Sequence, residues 1–171
     1  MEIKRNCINV CSISGPKNNI ELIDERLNYD FSMNSFYPLS LRNDNVERLM
    51  SWGCEEDMEL LTYISCRFVN PQSIDMAYAT DIPNLLFLRK ISQHFSLTIE
   101  HSFCDSVAGY IGYNKIVNGE LIEFDYEEDT ESAKYKELKK KYNFYTEEEW
   151  EQMQDKPQKI ISMQDILKYK K

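Results

Sequence analysis

The segment Tyr78–Asp125, YATDIPNLLFLRKISQHFSLTIEHSFCDSVAGYIGYNKIVNGELIEFD, decides the fold. Thr80-Asp81-Ile82-Pro83 predicts a helix start: a hydroxyl or carboxylate cap, then a proline in the first turn, where its missing N–H costs nothing. Leu88, Ile91 and Phe95 follow at helical spacing, giving one apolar face. Leu97, Ile99 and Phe103 then alternate with Thr98, Glu100 and Ser102, the period of a half-buried strand. Val117-Asn118-Gly119-Glu120 predicts a two-residue hairpin, because Asn and Gly tolerate the positive φ of a type I′ turn. Between them, Gly109-x-x-Gly112 reads as bulges or close strand packing rather than ligand contact.

Working upstream, Ile74 to Thr80 predicts the strand that feeds this helix, and Met58 to Val69 is rich in β-formers until Asn70-Pro71 breaks it. Asn45 to Trp52 suits a short helix with Val46, Leu49 and Met50 inward. Phe31 to Tyr37 alternates like a strand and stops at Pro38. Before it, Asn18 or Asn19 is expected to cap a helix whose buried stripe is Ile20, Ile23 and Leu27, with Glu21 and Asp24 near its positive end. Cys7 to Ser14, apolar on both faces, suits an interior strand ending at Gly15-Pro16. Two βαβ halves on one sheet are the ferredoxin-like plan, here with extra hairpin strands. The expected class is α+β, with both main helices on one face of the sheet.

Beyond Tyr126 the composition changes, so residues 1–126 are read as the ferredoxin-like domain and 127–171 as a charged C-terminal helical appendage. Glu127 to Tyr142 runs from acidic to basic, as suits a solvated helix and its dipole. Thr146 with Glu149 forms a capping-box pattern before Trp150 and Met153, and Ser162 to Asp165 suits the cap of a last short helix.

The formal charge is −9, unevenly spread: residues 134–171 hold 10 Lys/Arg against 7 Asp/Glu, leaving 10 against 22 in residues 1–133. Such an acidic body repels phosphate backbones, which disfavours direct nucleic-acid binding, and suits a basic protein partner. No run approaches the roughly 18 apolar residues of a membrane span. Met1–Asn6 carries no apolar segment of signal-peptide length, and a cytoplasmic location is expected. Five cysteines (Cys7, Cys11, Cys54, Cys66, Cys104), odd in number and without a Cys-x-x-Cys pair, read as reduced thiols rather than a disulfide framework. With only His94 and His101 beside them, a zinc site has little to build on.

No phosphate-binding loop or nucleophile elbow is present. His101 and Cys104, three apart on a strand, point to opposite faces and do not form a base–nucleophile pair. Neither catalytic residues nor a cofactor or metal are expected. The carboxylates fall in two groups: Glu55, Glu56, Asp57 and Glu59 beside Trp52, and Glu120, Glu123, Asp125, Glu127, Glu128, Asp129 and Glu131. The second spans residues 120–131 with no Lys or Arg, a spacing able to imitate a nucleic-acid backbone. Its alternative is a solvated face. Phe124, Tyr126, Tyr142, Phe144, Tyr145 and Trp150 either tack the C-terminal helices onto the sheet or form contact hot spots.

The pieces Asn9-Val10-Cys11-Ser12-Ile13-Ser14-Gly15, Asn34-Ser35-Phe36-Tyr37-Pro38, Ser51-Trp52-Gly53, Tyr78-Ala79-Thr80 and Phe95, followed by a hairpin rich in Gly and Tyr, resemble the YubB-type family over about residues 6–126. These are ferredoxin-like proteins of plasmids and phages. Where that family reads Trp-Gly-Thr-Lys-Trp-Asp and Thr-Ala-Trp-Ser-Pro-Pro, this chain has Trp52-Gly53-Cys54-Glu55-Glu56-Asp57 and Thr80-Asp81-Ile82-Pro83, without the second and third tryptophans. The family carries no established activity. The resemblance implies the company of mobile elements, whose small proteins often disable host defence, anti-CRISPR proteins among them.

The expected function is therefore a non-enzymatic cytoplasmic binding protein that inhibits or modulates a basic, nucleic-acid-handling host protein. Trp52, Glu55, Glu56, Asp57, Glu120, Glu123, Asp125, Glu127, Glu128, Asp129 and Glu131 are its candidate partner-binding residues. Two alternatives stay open: a nucleotide binder or enzyme with a pocket near Trp52 and the Cys104–Tyr113 hairpin, and an immunity protein against a basic toxin.

Overall fold

Cys7–Ser14 is β1, and its apolar residues on both sides place it inside the sheet, as expected of an interior strand. A computed structural model describes residues 5–40, 44–65 and 72–144. After β1 come α1 (Lys17–Tyr29), a 3-10 turn (Met33–Ser35), α2 (Asn45–Trp52), β2 (Glu59–Ser65), β3 (Ser73–Thr80) and α3 (Leu85–Phe95). Then follow β4 (Thr98–Asp105), β5 (Tyr110–Val117), β6 (Glu120–Glu127) and α4 (Ala133–Lys141). The six strands lie in the order β2-β3-β1-β4-β5-β6, every neighbouring pair antiparallel. The first four form the ferredoxin-like plan: β1 sits between β3 and β4, so β1 and β2 run parallel with β3 threaded between them. Two hairpins then add β5 and β6 beside β4.

Paired residues on adjacent strands share a face, so the register sorts every side chain. Ile13, Ile74, Ile99 and Ile116 form one fully buried row across four strands. Ile20, Ile23 and Leu27 of α1 and Phe87, Leu88, Ile91 and Phe95 of α3 pack on that face, so both helices lie on the same side. Each of these large side chains contributes about 1.5–3 kcal/mol on burial. The opposite face carries a smaller cluster, in which Tyr135 and Leu138 of α4, with Phe144, cover Cys104 and Ile111.

Several expectations are corrected. Phe31–Tyr37 is a loop around the 3-10 turn, not a strand: Asp57 accepts the Met33 amide (2.7 Å) and the Ser32 hydroxyl, and Met33 and Phe36 enter the core from that loop. The strand parallel to β1 is β2 instead. Asn19 does not cap α1, which starts at Lys17; its amide group donates to the Phe95 carbonyl (2.7 Å), joining the start of α1 to the end of α3. Helix α3 starts at Leu85, not beside Thr80 and Asp81, because both side chains are engaged elsewhere. Thr80 donates to the Ile82 carbonyl (2.6 Å), and the Asp81 carboxylate accepts the amides of Glu55 and Glu56 (2.9–3.1 Å).

Helix α2 spans the expected residues, opened by Asp44, which accepts the Glu47 amide (2.9 Å), and closed by Gly53 at φ 81°. Its phase differs: Val46 is 65% and Met50 75% exposed, and Trp52 is the buried residue. The Asn118-Gly119 turn is as expected, with φ 50° and 83°. Helix α4 is not wholly solvated, since Tyr135 and Leu138, three apart, face the sheet. Cys7, Cys11, Cys54 and Cys104 are buried thiols outside any disulfide, and burial pushes Cys7 and Cys11 up to about 12. Cys66, Asn70-Pro71 and the segment with Tyr145, Thr146, Trp150 and Ser162 lie outside the described residues. Among the described residues no helix is long and apolar enough to cross a membrane.

Candidate protein-docking face

The first carboxylate group serves the fold. The Trp52 ring is buried and donates Nε1–H to the Tyr37 carbonyl (3.1 Å), so it offers no contact surface. Asp57 holds the 3-10 turn and the Met58 amide (2.8 Å). Glu55 accepts from Asn45 (3.0 Å), and Glu56 and Glu59 pair with Arg5 (3.1 and 3.2 Å). A bent connection between α2 and β2 needs many amides satisfied, and short acids do that locally.

The second group lies elsewhere and does converge. Register places Glu120, Glu123, Asp125 and Glu127 on the face that α4 covers in part. The row Asp75–Ser12–Glu100–Lys115–Glu123 crosses five strands of that face. Lys115 pairs with Glu100 (3.4 Å) and stands between two glutamates. Asp75 and Glu100 share this face with the β6 acids through strand pairing, which the linear sequence does not display. Around Val10, Ser12, Ala77 and Ser102 this face forms an open groove of about 330 Å³, walled by Tyr113 and Tyr142. Those two rings stack at 5.0 Å, with the Lys141 ammonium over Tyr142 (4.9 Å).

The acids continue into the loop before α4. Glu127 accepts the amides of Glu128 and Asp129 (3.0 Å each), which hold its carboxyl below the usual range. Asp129 accepts the Glu131 amide (3.0 Å). Lys134 reaches back to Asp125 (2.6 Å) and to the Tyr126 carbonyl (3.0 Å), while Lys136 pairs with Glu131 (3.4 Å). Glu127 and Asp129 thus shape the loop, and Asp129 is exposed along with Glu120, Glu123 and Glu128.

The other face of β6 is apolar. Phe124 and Tyr126 share the face of the main core but lie past the cover of its helices, 57% and 39% exposed. Phe103, Gly112 and Tyr126 occupy one row, and Phe103, Tyr110 and Tyr126 meet ring to ring at 6.2–6.5 Å. Phe124 stacks on Tyr126 (6.3 Å). The C-terminal aromatics therefore divide: Phe144 and Tyr142 tack α4 down, and Phe124 and Tyr126 face outward.

Inside the sheet a polar ladder crosses four strands. Asn9 donates to Thr80 (2.8 Å), its carbonyl oxygen meets His101 Nε2 (2.9 Å), and His101 Nδ1 meets Asn114 (3.1 Å). All four are fully buried, and burial lowers His101 to about 3, so it is neutral near pH 7. Cys104 lies on the opposite face against Tyr135, so His101 and Cys104 do not meet. Among the described residues no group of His, Cys, Asp and Glu converges as a metal site.

Strand order, register and helix placement define an α+β ferredoxin-like protein. Residues 72–156 match the family described as a ferredoxin-like domain in Api92-like protein, a span that takes in β3, α3, the three following strands and α4. No curated protein and no solved structure matches the chain.

Proposed function

We infer that this protein is a non-enzymatic binding protein whose open sheet face docks a basic, nucleic-acid-handling partner and modulates or blocks it. The observation that carries this reading is the gathering of Asp75, Glu100, Glu120, Glu123 and Asp125 on one face, where they outnumber the lysines that meet them, Lys115 at Glu100 and Lys134 at Asp125. Nucleic-acid-binding sheets present basic residues and stacking aromatics at such a surface; this face has the reverse charge, which attracts the proteins that bind phosphate backbones. The resemblance to the YubB-type family is what suggests a plasmid or phage setting and an anti-defence role in the cytoplasm. The groove beside Tyr113 and Tyr142 supports a second reading, a small cationic ligand held over the rings.

Capture from a bacterial lysate, run in parallel with wild type and the Glu100→Lys/Glu123→Lys variant, tests the first reading. A basic protein retained by wild type, released by salt, displaced by nucleic acid and absent from the variant is the expected result. A partner held equally by both proteins overturns the docking face, and a co-purified small molecule favours the second reading. A toxin as the captured protein marks the role as immunity.

A further inference from the structure

Strand β6 ends the sheet among the described residues, so one row of its backbone N–H and C=O groups has no strand beside it there. An open edge of eight residues invites pairing with another chain. Its side chains decide which. Leu121 pairs with Ile116 and Glu123 with Lys115, leaving Ile122 as an extra, bulged residue. The bulge keeps Glu120 in phase with Glu123 and Asp125 on one face, and Leu121 in phase with Phe124 and Tyr126 on the other. A second copy is a poor occupant, because antiparallel self-pairing sets acid against acid, and like charges directly opposite are destabilising.

We propose that β6 accepts, by strand addition, an extended segment of the partner carrying Lys or Arg at alternate positions and apolar side chains between them. The basic positions meet Glu120 and Glu123, Asp125 being already paired with Lys134; the apolar ones extend the ledge made by Leu121, Phe124 and Tyr126. Main-chain hydrogen bonds supply much of the affinity, and the alternation supplies the choice of segment. Lys134, which holds the Tyr126 carbonyl, ends the free run, so the acceptor is the stretch from Glu120 to Asp125. This rests on the basic-partner reading above and adds to it the partner's backbone conformation.

Synthetic peptides of about eight residues, the length of a matching strand, separate the two claims. One alternates Lys with Val and Phe; a second has the same composition in blocks; two more carry N-methyl groups on alternate amides, one set per edge. Expected are binding of the alternating peptide, slowed hydrogen exchange at the amides of residues 120–125, and loss of at least about tenfold in affinity for only one methylated form. Equal binding of the alternating, block and both methylated peptides overturns strand addition while leaving electrostatic docking in place. No binding of any peptide at low salt overturns both.

Discussion

At Gly112 the hydrogen in place of a side chain lets the Phe103 ring lie across the strand. A Cβ there would overlap that ring and come within 2.8 Å of the Asp125 carbonyl oxygen. Gly112→Ala is expected to destabilise the protein by about 1–3 kcal/mol, the usual range for overpacking, as read by urea unfolding. His101 supplies a pH signature. In the unfolded chain it titrates near 6.5 and in the folded protein near 3, so below pH 6.5 the unfolded state binds the extra proton. Stability from this residue is fully present above 6.5 and declines toward pH 3, with a limiting slope of about 1.4 kcal/mol per pH unit. Between pH 7 and 5, His101→Gln should therefore lose about 2 kcal/mol less than wild type does, measured by denaturant titration at the two values. The close packing expected at Gly112 is present, but its partner is not legible in the sequence, and neither is the role of His101. A strand glycine and a strand histidine look alike whether inside or outside, and only the register shows that Phe103 and Asn114 are their neighbours.

Among the elements, β6 and its acids allow the cleanest test of docking. Charge reversal is best placed at Glu120 and Glu123, since Glu127 and Asp129 hold backbone amides. Glu120→Lys/Glu123→Lys should leave stability within about 0.5 kcal/mol per site. It should also slow association with a polylysine probe and flatten its salt dependence, followed by stopped-flow mixing. Unchanged rates and an unchanged salt slope would mark these acids as a solvated surface. Elements with a strong period were legible: β1, the β4 alternation, the Asn118-Gly119 turn and the buried stripe of α1. Phe31–Tyr37 was misread because a loop that sends Met33 and Phe36 into the core imitates alternation over so short a run. The start of α3 was misread because Thr80 and Asp81 bond to the loops before and after them rather than to helix amides. Long-range partners outbid local capping there, and a local reading cannot see them.

The molecule as a whole is three layers: α1 and α3, the sheet, then α4 over part of the far face. The ferredoxin-like plan was legible from the order of elements. The proposed docking face was legible only in half, since the β6 acids lie close together in the chain while Asp75 and Glu100 join them through pairing. With a net charge of −9, the folded state also carries self-repulsion that the expanded chain relieves. Raising ionic strength from about 10 to 150 mM shortens the screening length from roughly 30 to 8 Å and should raise the thermal midpoint, measured by circular dichroism. A midpoint that falls with salt would mean that attractive ion pairs such as Lys134–Asp125 outweigh the repulsion.

The central place of β1 has a bearing on biosynthesis. Both of its neighbours, residues 73–80 and 98–105, are made long after it. While the ribosome works through the intervening stretch, an apolar strand waits with both edges bare, and the sheet cannot close before Asp105 has left the exit tunnel. Such delayed pairing slows folding and leaves the nascent chain open to wrong partners in the meantime. Any protection that this extended apolar segment needs is expected to last only until β4 pairs with it.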